Sequence, residues 1–100
     1  AAEGTQAGKM AWKHGFHVRR LKLQPGARVP AHRRSEEEVI FVHQGQLQLK
    51  VGADARVLET GELITTPIGA LRSFDNRSAQ VCDLIVVRGG DAPDAPHWQA

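Results

Sequence analysis

Turn residues arrive too often in this chain for a helix to establish itself between them. They stand at Pro25-Gly26, Gln44-Gly45, Gly52 to Ala55, Glu59 to Glu62, Pro67 to Ala70 and Asp75 to Ser78. The intervals are short and largely apolar at period two. Seven strands are predicted: Trp12 to Leu23, Glu38 to Val42, Gln46 to Val51, Arg56 to Leu58, Leu63 to Thr66, Leu71 to Phe74 and Val81 to Val87. In the first, the alternation through Arg20-Leu21-Lys22-Leu23-Gln24 outweighs any helical stripe. Short strands separated by turns predict an all-β chain, folded as an antiparallel sandwich or barrel. A five-stranded oligonucleotide-binding barrel would show the same pattern. It would also need exposed aromatic rings for base stacking, and this chain has five aromatic residues and no Tyr.

Two strands are apolar on both sides. Parity puts Glu38, Ile40 and Val42 on one face and Val39, Phe41 and His43 on the other, while Leu84 to Val87 is apolar throughout. A chain of 100 residues makes one domain with a modest core. Val39, Phe41 and the strand from Leu84 to Val87 are therefore expected at a homodimer interface. Thirteen basic against eleven acidic residues, a formal charge of +2, carry no nucleic-acid signal. No apolar run reaches spanning length and no signal-peptide pattern opens the chain, so no membrane association is expected. The single Cys82 makes no internal disulfide and fits a cytoplasmic, reducing setting. Residues 1–11 read as a loose arm, 12–90 as the barrel and 91–100 as a Pro-containing tail, with Trp98 docking on the barrel. The chain starts at Ala1 without Met, which is compatible with processing or a longer parent protein.

Two stretches carry more than fold. The first, PGARVPAHRRSEEEVIFVHQG, runs from Pro25 to Gly45; the second, GELITTPIGALRSFDN, runs from Gly61 to Asn76. Gly26, His32, Glu38 and Gly45 in the first, and Gly61, Pro67, Gly69 and Asn76 in the second, hold the spacing of the two cupin motifs in the right order. The chain thus resembles the cupin family over roughly residues 18 to 88. The resemblance implies an antiparallel jelly-roll-like barrel. It also implies a divalent-metal site at the positions of His32, Arg34, Glu38 and Arg72. At two of those positions the family has histidine where this chain has Arg34 and Arg72.

A guanidinium has no lone pair to offer and stays charged, so it repels a cation rather than binding it. His32 and Glu38 alone fall short of the three protein ligands usual for catalytic zinc or non-haem iron. His43 lies at odd spacing from Glu38, and His14, His17 and His97 lie outside both motifs. Two arginines with one carboxylate carry the same net charge, +1, as three neutral histidines, one carboxylate and a divalent ion. The arginines are thus expected to stand in for the ion, one pairing with Glu38 and the other gripping a carboxylate or phosphate. On that reading the chain binds a small organic anion through His32, Arg34, Glu38 and Arg72, with no cofactor. Three alternatives stay open: a metal-dependent dioxygenase, isomerase or decarboxylase with His32 and Glu38 as ligands; a metal-free lyase or isomerase with His32 as base beside Glu38; and ion pairs to Glu36, Glu37 or Glu38 with no ligand at all. The His and Tyr pair of the family's metal-free sugar epimerases is missing, because there is no Tyr.

Overall fold

The computed structural model describes residues 15–89 and 96–98. The predicted arm, the start of the predicted first strand at 12–14 and most of the predicted tail lie outside them. The nine regular elements among the described residues are all strands: β1 (Phe16–Leu23), β2 (Arg28–Arg33), β3 (Glu38–Gln44), β4 (Gln46–Val51), β5 (Asp54–Glu59), β6 (Leu63–Thr66), β7 (Arg72–Asp75), β8 (Cys82–Gly89) and β9 (His97–Trp98). They form two antiparallel sheets, one ordered β1-β8-β3-β6 and the other β5-β4-β7-β2-β9. No helix among the described residues is long and apolar enough to cross a membrane.

Period two decides which side chains meet between the sheets. Ile40 and Val42 of β3, Leu47 and Leu49 of β4, Leu58 of β5, Phe74 of β7 and Cys82, Leu84 and Val86 of β8 are buried together with Leu23. Fully burying one such side chain is worth about 1.5–3 kcal/mol, so this shared layer is what holds two otherwise separate sheets face to face. Val39, Phe41, Ile85 and Val87 point the other way and are half-buried.

Chain reversal between the sheets rests on particular residues. Gly45 carries β3 of one sheet into β4 of the other at φ 102, and a Cβ there would meet the Val81 carbonyl oxygen at 2.8 Å. No L side chain fits that backbone. A bulge between Val42 and Gln44 precedes the turn, and His43 is exposed there, as its parity predicts. At the same end of the barrel the buried Asn76 donates from Nδ2 to the Leu23 and Gln80 carbonyls at 2.9 and 2.7 Å. Its Oδ1 accepts from the Ser78 backbone N–H and hydroxyl at 3.0 and 2.7 Å. Gly26 N–H donates to the Asn76 carbonyl at 2.8 Å, so the first residue of one motif and the last of the other are tied directly. Both are structural.

β2 lies where the sequence pattern predicts no strand, and β5 and β8 each extend beyond their predicted bounds. The predicted docking of Trp98 takes the form of β9, which pairs with β2 through His32↔Trp98 and Arg33↔His97.

Candidate functional site

At the end of the barrel opposite Asn76, register brings two rows of side chains face to face. In the first sheet Arg88 of β8 stands beside Glu38 of β3, which stands beside Thr66 of β6. In the second, Arg72 of β7 stands between Val51 of β4 and His32 of β2. The gap between the sheets is crossed by an ion pair: Arg72 Nη1 donates to Glu38 Oε1 at 3.0 Å. Both side chains are essentially sealed from solvent, Arg72 at 0% and Glu38 at 1% exposure.

Glu38 is held on both oxygens. Oε2 accepts from Arg88 Nε at 2.6 Å and lies 3.9 Å from Arg34 Nε. Arg34 Nε also donates to Glu36 Oε1 at 2.9 Å, and Glu36 is itself largely buried. Arg72 spends its remaining contacts on the chain, Nε donating to the Ala70 carbonyl at 3.0 Å and Nη2 to the Pro67 carbonyl at 2.9 Å. It therefore fixes the loop from Pro67 to Ala70 as well as joining the sheets. The Arg34 carbonyl accepts from the Gly69 N–H of the same loop at 3.0 Å.

The four sequence-predicted site residues, His32, Arg34, Glu38 and Arg72, are all buried at this end. The sequence reading puts one of Arg34 and Arg72 on Glu38 and the other on a ligand; in the structure Arg72 pairs with Glu38 and Arg34 with Glu36. Glu36 reads in sequence as part of a solvated charge run; it is drawn in by Arg34, and only Glu37 stays exposed. Arg88 was missed altogether. Its signal was parity, since Leu84 and Val86 face the core and two residues further on Arg88 faces the same way.

His32 sits beside this cluster at 3% exposure. Its Nδ1 lies 2.9 Å from the Pro30 carbonyl oxygen, which can only accept, so the ring donates there and the neutral imidazole keeps its lone pair on Nε2. Phe74 meets the ring edge-on at a centroid distance of 5.9 Å, and Trp98 lies tilted over it at 4.9 Å. Burial pushes the His32 pKa below its ordinary value. The Pro30 contact opposes this, Arg72 adds to it, Glu38 opposes it and Arg34 adds to it. Burial also lowers the Arg72 pKa, against the pull of Glu38.

Among the described residues no group of three or more His, Cys, Asp or Glu side chains could hold a metal ion. His32 and Glu38 stand at two of the four positions where the motif resemblance implies metal ligands, and both Glu38 oxygens accept from guanidiniums. Among the described residues, three arginines against two glutamates leave the cluster at a formal +1 before any ion arrives. This donor set does not fit a divalent cation.

The cupin-domain family profile matches residues 19–88. Among solved structures, a cupin 2 conserved barrel domain protein from Rhodopseudomonas palustris superposes with a TM-score of 0.80 at 17% identity, covering 95% of this chain and 62% of that one. The polyketide cyclase RemF from Streptomyces resistomycificus gives 0.75 at 22%, covering 85% and 61%. An oxalate oxidase gives 0.77 at 20%, covering 84% of this chain. The chain spans 46% of that oxalate oxidase, so the likeness is of one barrel to part of a longer protein. At these identities the superpositions speak to fold alone. No curated protein sequence matches the chain. The family profile spans well over half the chain and the two sheets superpose on cupin barrels along most of their length, so this protein belongs to the cupin family.

Proposed function

We propose that this cupin domain binds a small organic anion, a carboxylate or phosphate, beside the guanidinium cluster. The observation that carries the reading is the burial of five charged side chains, Arg34, Glu36, Glu38, Arg72 and Arg88, at a net +1 among the described residues. A buried excess of positive charge is costly in a low-dielectric setting, and an anion relieves it. Arg72 is committed to Glu38 and two carbonyls and is fully covered, so the grip falls to Arg88, whose side chain is 12% exposed, with Arg34 beside it. His32 supplies a neutral Nε2. A cytoplasmic location belongs to the same proposal. Its support is that the single Cys82 is free and buried and forms no disulfide.

A ligand that binds only the folded state raises Tm by mass action. Oxalate, succinate and inorganic phosphate, each compared with chloride at equal ionic strength, are expected to raise the Tm of the parent and to do so less for Arg88→Gln. If all three act as chloride does, there is no anion site.

A second reading, a metal-free lyase or isomerase with His32 as base, is favoured by one observation: a neutral imidazole with its lone pair on Nε2 adjoins a guanidinium cluster able to stabilise an enolate. Hydrogen–deuterium exchange at carbons next to a carboxylate, abolished in His32→Gln, would identify it.

A further inference from the structure

We infer, resting on the anion site proposed above, that its ligand is a dianion and that Arg19 of β1 takes the second charge. Neither motif includes β1, so motif spacing gives Arg19 no place in the site. Register does. His17 pairs with Arg88, Arg88 with Glu38 and Glu38 with Thr66, so one row of the first sheet begins on β1. Leu21 and Leu23 of β1 pack on the core, and period two turns His17 and Arg19 to that same inner side, at the open edge of the sheet. Arg19 stands opposite Val86, which makes it a diagonal neighbour of Arg88. Diagonal neighbours on one face lie about 7–8 Å apart, within reach of long side chains.

The donors on this inner side are unspent. Arg88 uses only Nε, at 2.6 Å from Glu38 Oε2, and among the described residues its two Nη nitrogens make no bond. Arg19 is exposed and has no carboxylate partner among the described residues. Arg20, the next residue, gives the contrast. It lies on the outer face and is closed by Asp83, with Nε to Oδ1 at 3.0 Å and Nη2 to Oδ2 at 2.6 Å. Asp83 pairs in register with Lys22, so this bond also shows that an arginine of β1 spans a diagonal offset to β8.

Charge then selects the ligand. The buried cluster stands at +1 among the described residues, and Arg19 brings the site to +2. A monocarboxylate leaves half of that uncompensated, whereas a dianion closes it. A phosphate monoester gathers its acceptor oxygens on one centre and a short dicarboxylate divides them between two. Both match a pair of guanidinium forks.

The test is Tm titration with acetate, succinate and inorganic phosphate at constant ionic strength and about pH 8, where phosphate is largely doubly charged, to give apparent Kd values. The parent is expected to bind succinate and phosphate at least about tenfold more tightly than acetate. Arg19→Gln should bring both to the acetate value and leave acetate unchanged. Lys22→Gln removes the same charge from the outer face of the same strand and should change nothing. Both positions are exposed, so both variants should fold, which far-ultraviolet circular dichroism would verify. A preference for only one of the two dianions, lost in Arg19→Gln, supports the assignment and names the anion. Acetate binding as tightly as either dianion overturns the second charge and leaves the anion site standing. A dianion preference that survives Arg19→Gln, or falls equally in Lys22→Gln, overturns the role of Arg19. If none of the three acts beyond chloride, the anion site itself is lost, and the dianion with it.

Discussion

Glu38 and its guanidiniums show what two arginines do in positions that resemble those of metal ligands. Glu38 takes Arg72 from the opposite sheet on one oxygen and Arg88 from its own sheet on the other. Glu38→Gln keeps the shape but removes the carboxylate charge that Arg72 and Arg88 share, moving the cluster from +1 to +2 among the described residues. Breaking a buried pair from one side typically costs 3–5 kcal/mol, and that loss is expected here by urea denaturation. Arg88→Gln moves the cluster to zero and leaves Glu38 on Arg72, so it should cost clearly less. Equal costs for the two variants would mean that charge balance does not govern this end of the barrel. Three of the members, Arg34, Glu38 and Arg72, were legible in sequence because motif spacing fixed them together with His32. Arg88 lay outside both motifs, and its pairing with Glu38 spans fifty residues. No local pattern records such a contact.

At the scale of elements, legibility followed the chemistry of each strand. β4 alternates cleanly and β6 is bracketed by Gly61-Glu62 and Pro67, and the observed bounds of both are the predicted ones. β2 reads Arg-Val-Pro-Ala-His-Arg, with a proline that cannot donate and a register shift between Val29 and His32, so it looks like a loop and is fixed as a strand by β7. β9 is two residues long and exists through its pairing with β2. Its Trp98 nevertheless covers His32, and this makes it testable through the titration of that ring. The folded pKa of His32 lies below the unfolded value of about 6.5, so the unfolded chain takes up the proton first as pH falls. The associated stability is full above about pH 6.5 and is lost as pH drops through the folded pKa. His32→Gln is expected to flatten that part of the stability profile. Trp98→Ala should admit water and move the His32 pKa upward by NMR titration. An unchanged pKa would show that β9 does not shield the ring.

At the scale of the whole molecule, the two sheets are joined at one end by Asn76 and at the other by Arg72 on Glu38. In place of that ion pair a metal held by ligands from both sheets could make the same bridge. Arg34→His with Arg72→His would set two more imidazoles beside His32 and Glu38, a donor set suited to nickel or zinc. The double change alone should still bind weakly, because Arg88 remains on Oε2 and brings a fixed positive charge to the place where the cation must sit. Adding Arg88→Gln releases that oxygen and removes the charge. The triple variant also loses the Arg72 bonds to Pro67 and Ala70 and all three guanidiniums around Glu38, so without metal it should be less stable than the parent. Metal should restore what was lost, since binding to the folded state alone is folding free energy. Calorimetric titration with nickel is expected to show no binding by the parent, weak binding by the double and tight one-to-one binding by the triple, with Tm rising only in the last two. Tight binding by the parent would contradict the electrostatic account of this end of the barrel. A triple variant that is folded yet binds no better than the parent would mean that positions 34 and 72 do not aim their side chains at a common point with His32 and Glu38.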